Sequence, residues 1–77
     1  KLKEVLQMKK YNWNQASESA NWIFTDQDGD VFESNIEPER CDNGWRGTGI
    51  CEWTISDCSP FKGDWKDSLE QRPVEKN

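Results

Sequence analysis

Apolar residues fall into two different rhythms along the chain. Leu2, Val5 and Leu6 stand at i, i+3 and i+4, which predicts a short amphipathic helix over residues 1–10 that needs tertiary docking to persist at that length. Residues 11–19 are polar, rich in Asn, Gln and Ser, and read as a connector that brings Tyr11 and Trp13 onto the rest of the chain. At Ala20 the rhythm changes. Trp22-Ile23-Phe24-Thr25 and Val31-Phe32-Glu33-Ser34 are aromatic and β-branched runs flanking the turn chemistry of Asp26-Gln27-Asp28-Gly29-Asp30, the signature of a β-hairpin. A two-residue Asp28-Gly29 loop would set Phe24 opposite Glu33. A three-residue loop with Gly29 in the left-handed position sets Phe24 opposite Phe32, and that register is expected. Trp22, Phe24 and Phe32 then share one face, with Ile23 and Val31 on the other, so neither face is fully polar.

Pro38 removes a ladder donor and takes the chain out of the sheet. Cys41 to Gly49 is dense in turn formers and reads as a loop or a wide hairpin. Alternation resumes at Ile50 to Ile55, a third strand. Ser56 to Pro60 is another turn, Phe61 returns to the core, and Asp64 or Ser68 caps a helical turn before Pro73. The expected fold is therefore α+β: a three- to four-stranded antiparallel meander with a short N-terminal helix. Its divisions are a basic helix at 1–10, a connector at 11–19, a β-rich domain at 20–73 and a frayed tail at 74–77.

Composition changes this picture in one respect. Leu, Ile, Val and Phe make up only 13 of 77 residues, a fraction at which many chains stay disordered. Five tryptophans compensate, since each buries roughly 150–250 Å², or about 4–6 kcal/mol gross at ~25 cal/mol/Å². The expected core is aromatic.

Charge and absences limit the chemistry. Net charge is −5, with Lys1 to Lys10 locally basic and the remainder acidic, so direct nucleic-acid binding and an anionic membrane are disfavoured as partners. There is no histidine, which removes Ser-His and Cys-His nucleophile systems and most zinc sites. Three cysteines, Cys41, Cys51 and Cys58, are an odd number for a disulfide framework. They point to a reduced, intracellular chain, with a single Cys41–Cys51 bridge as the alternative. No metal and no cofactor are expected, and no enzyme activity, because the carboxylates are marked by no motif. No apolar run reaches membrane-spanning length.

Candidate constellations have plain readings beside them. Asp26, Asp28 and Asp30 resemble half a calcium loop, but Gly29 precedes the third acid and no ligand follows at the required spacing, so turn chemistry is the better account. Gly44, Gly47 and Gly49 lead into a strand rather than a helix N-terminus, which removes a phosphate cradle. The acids alternate only at residues 26–30, too sparsely to imitate duplex DNA. Trp22, Phe24, Phe32 and Trp53 fit a cation cage or, more simply, a core. What remains is Trp45-Arg46 on a glycine-rich segment. These residue types are enriched at binding hot spots, and Glu39 and Asp42 nearby suit a basic partner. Trp45, Arg46, Asp42 and Glu39 are the candidate partner-binding residues.

Ala20-Asn21-Trp22, Thr25 to Gly29, the Trp45-Arg46-Gly47 turn and above all the closing Asp64-Trp65-Lys66-Asp67-Ser68-Leu69-Glu70-Gln71-Arg72-Pro73 resemble a loose group of small accessory proteins of tailed bacteriophages and prophages of enteric bacteria. The resemblance spans residues 20 to 73, with Cys41 to Cys58 departing from its pattern, and it carries no catalytic residue. It implies a phage product in the bacterial host cytoplasm that binds and blocks a host protein, as monomer or homodimer. The host proteins in view are a nuclease, a polymerase component or an antiviral defence complex. A phage structural or assembly component and a small ligand- or nucleic-acid-binding module are the alternatives.

Overall fold

The computed structural model describes residues 9–74. Among the described residues six strands are formed: β1 (Trp22–Thr25), β2 (Val31–Ser34), β3 (Glu39–Cys41), β4 (Gly44–Arg46), β5 (Trp53–Ile55) and β6 (Glu70–Gln71). Four of them make one antiparallel sheet in the order β5-β2-β1-β6, and β3 pairs with β4 separately. The expected helix over 1–10 lies outside the described residues apart from Lys9 and Lys10. The tail at 74–77 does so apart from Val74. Among the described residues helical structure is limited to two 3-10 turns, Trp13–Gln15 and Trp65–Asp67, so the described chain is a sheet protein and the α+β expectation is not met there.

The central hairpin has the register its turn chemistry dictates, with Phe24 opposite Phe32 and Ile23 opposite Glu33. Asp26 N–H donates to Asp30 O at 2.9 Å. Gly29 takes φ +90°, a conformation open to glycine because it lacks Cβ. The Asp26 carboxylate accepts from the amides of Asp28 and Asp30 at 2.9 and 3.0 Å. The acidic triplet is thus a self-bonded turn.

The three expected strands pair antiparallel in the expected order, β1-β2-β5; β3 and β4 lie in the connection between β2 and β5, and β6 adds a fourth strand on the free edge of β1. Buried Pro38 ends pairing to the large sheet, and the following residues pair with each other around Asp42-Asn43 as Cys41 opposite Gly44, Arg40 opposite Trp45 and Glu39 opposite Arg46. The loop or wide hairpin expected at Cys41 to Gly49 is a tight hairpin that begins earlier, at Glu39. The strand expected at 50–55 shortens to β5, since Asn35 Oδ1 takes the Glu52 amide at 2.8 Å and Ile50 stands 85% exposed.

Both faces of the large sheet are covered. Ile23, fully buried, and Val31 pack with Tyr11, Trp13, Ala20 and Cys58, flanked by Ala16 and Phe61. On the opposite face Phe24, also fully buried, meets Phe32, Trp53 and Trp45 at centroid distances of 5.8, 4.8 and 5.3 Å. Trp45 in turn meets Trp65 at 6.0 Å. These are offset and edge-on geometries that aromatic quadrupoles favour. Ring against ring, Phe24, Phe32 and Trp53 are core rather than an open cage. Among the described residues no helix is long and apolar enough to cross a membrane.

Candidate protein-binding surface

Pleating decides what the β3–β4 hairpin displays. Successive side chains alternate between faces, so Trp45 and Arg46 point opposite ways. Trp45 shares its face with Arg40 and turns to the large sheet, where its indole N–H donates to Thr25 O at 3.0 Å. Arg40 donates to Lys66 O at 3.1 Å. Gln27 Nε2 donates to Asn43 O, joining the tips of the two hairpins. These bonds fix the small hairpin on the aromatic face. Arg46 and Glu39 share the outward face as a cross-strand ion pair and are both exposed, and Asp42 is exposed in the turn. The Glu39 carboxylate holds the Arg46 guanidinium above its ordinary pKa, chiefly by hydrogen bonding to the charged form.

Trp45 is half-buried, and its free edge borders a cleft of about 370 Å³ lined with Pro38, Leu69, Arg40, Lys66, Glu37 and Asp67, among others. The candidate residues therefore form two adjoining features. One is an exposed charged ladder at Glu39, Arg46 and Asp42; the other is a mixed cleft with an indole in its wall.

The large sheet beneath this surface is held by side-chain bonds that the sequence does not mark. Thr25 N–H donates to Ser68 Oγ at 2.8 Å two residues before β6 begins, so a hydroxyl continues the pairing a further strand residue would have made. Thr25 Oγ1 lies 2.7 Å from Tyr11 OH and accepts from Phe61 N–H at 3.1 Å. The Tyr11 phenol is pushed up from 10.0 because burial penalises phenolate, with hydrogen bonds to Thr25 and Ser68 offsetting part of that. Glu33, 5% exposed, accepts from Ser17 N–H and Oγ at 3.3 and 2.8 Å and from Ser56 Oγ at 2.8 Å. Glu70 accepts from Lys10 N–H at 3.0 Å and from Trp13 Nε1 at 2.9 Å. Each carboxylate meets several donors, the condition for burying charge at tolerable cost. As expected, Asp64 caps the 3-10 turn by accepting from Lys66 N–H at 3.0 Å.

Cys41 and Cys51 are half-buried, Cys58 is buried, and all three are unpaired thiols. Among the described residues no group of three His, Cys, Asp or Glu side chains is placed to hold a metal ion. No protein-family model, curated protein or solved structure matches the chain.

Proposed function

We propose that this chain is a stoichiometric protein-binding module: a small phage accessory protein that docks on a host protein in the bacterial cytoplasm and blocks it. The observation that carries the reading is the β3–β4 hairpin. It is tied to the aromatic face by Trp45 and Arg40 while presenting Glu39, Arg46 and Asp42 to solvent. A surface held in one conformation loses little entropy on docking. The acids around Arg46 suit a basic partner, and the Trp45-walled cleft suits an inserted side chain. The phage setting rests on the resemblance of residues 20 to 73 and the closing segment in particular.

The test uses the full chain, tagged, against lysate of an enteric bacterium, followed by affinity measurement on the captured protein. The double reversal Glu39→Arg plus Arg46→Glu keeps an ion pair on the hairpin but inverts its polarity. It is expected to weaken capture at least tenfold with the fold unchanged. Undiminished affinity in that variant, and in Trp45→Phe, would remove the hairpin from the interface.

A further inference from the structure

We infer that the outer edge of β5 pairs with β5 of a second copy, making a two-fold dimer with one continuous sheet. Thr54 stands opposite Glu33, and Ser56 N–H donates to Val31 O at 2.9 Å. In an antiparallel ladder backbone groups alternate in direction, so those of Thr54 and Ser56 face β2 and those of Trp53 and Ile55 face outward. The N–H and C=O groups of Trp53 and Ile55 find no partner among the described residues. This edge is short, three residues, and shortness is the one protection it has. It carries no lysine, no proline and no bulge, and Ile55 is 69% exposed beside it, a template for another strand. The opposite edge, β6, is two residues long and runs into Pro73.

Self-complementarity identifies the occupant. An antiparallel pairing centred on Thr54 sets Trp53 opposite Ile55 of the second copy, and Ile55 opposite its Trp53. Both are hydrogen-bonded pairs that use all four free groups on each chain. Ile55 of each copy then stands beside the other's Trp53, whose ring stays packed on its own Phe24 and Phe32, and Thr54 faces Thr54, a favourable cross-strand pair. Glu52 falls opposite Ser56, and the two Glu52 side chains lie about 13 Å apart along the strand axis at ~3.3 Å per residue, beyond the ~8 Å Debye length of physiological salt. The edge strand itself carries no charged residue, its acids Glu52 and Asp57 lying beyond its two ends. Because the contact is isologous it closes at two copies and does not propagate.

Sedimentation or size exclusion with light scattering on the full chain, from about 10 μM to 1 mM, tests this. The expected result is a monomer–dimer equilibrium that strengthens with added salt, as the like net charges of −5 are screened. Ile55→Lys is expected to weaken it at least tenfold. Thr54→Cys, oxidised, is expected to yield a dimer whose bridge joins position 54 to position 54 by mass spectrometry. The proposal is overturned by a monomer throughout that range, by a dimer indifferent to Ile55→Lys, or by a Thr54→Cys variant that bridges only through other cysteines.

Discussion

The two faces of the large sheet are both buried, but by different chemistry. On one, Phe24, Phe32, Trp53 and Trp45 lie ring on ring, and the polar link from this cluster back to the sheet is the Trp45 indole N–H to Thr25 O. On the other, Ile23 and Val31 pack beneath a lattice of directed bonds: Glu33 to Ser17 and Ser56, Glu70 to Lys10 and Trp13, Thr25 to Tyr11. The first face is held by area, the second by donors that must be in place. A chain poor in aliphatic residues thus draws on two sources of stability, and the binding surface sits on the side held by area.

The largest effect is expected where area is lost. Phe24→Ala removes the ring that touches Phe32, Trp45 and Trp53 and should cost about 3–5 kcal/mol. That is most of the stability of a small domain, so denaturant titration followed by tryptophan fluorescence should show little or no cooperative transition. On the other face Glu33→Ala strands two hydroxyls and an amide, at about 2–3 kcal/mol, while Glu33→Gln keeps an acceptor and should cost roughly half as much. A Glu33→Gln variant as stable as the natural chain, with Glu33→Ala alone losing stability, would mean that packing, not donor matching, holds that face.

Smaller still is Tyr11→Phe, which removes the neutral hydrogen bond to Thr25 Oγ1, about 1 kcal/mol. It also sharpens the comparison through pH. Burial raises the Tyr11 pKa above 10.0 in the folded chain, so the folded state holds this proton more tightly than the unfolded state. The contribution is complete below about pH 10 and is lost as pH rises through the raised folded value. Urea midpoints across the alkaline range should fall more steeply for the natural chain than for Tyr11→Phe. Arg46→Ala should leave the midpoint where it was, since both members of its ion pair are exposed, and should change only partner affinity.

Where the signal was local, the sequence was readable. Gly29 and the Phe24/Phe32 pair marked the register, and Asp64 was one of two candidates for the cap it forms. Longer-range features had no such marks. Glu70-Gln71 carries no strand character and pairs through backbone alone, with Ser68 completing the edge 43 residues from Thr25. The β3–β4 segment read as a loop or a wide hairpin, and its tight register from Glu39 was hidden because three-residue strands between Asp42, Asn43 and three glycines look like loop. At the candidate surface, residue chemistry singled out Trp45 and Arg46 together. Their opposite directions depend on Arg40 standing across from Trp45, a pairing that composition does not reveal.

Hydrogen exchange of the tryptophan indole N–H groups, resolved by NMR on the full chain, addresses the account most directly. If Trp45 pins the small hairpin to the aromatic face, its Nε1–H should be protected to the same degree as the amides of β1 and β2 and should open with them. Exchange of the Trp45 indole at the rate of a free tryptophan, while those amides stay protected, would contradict it.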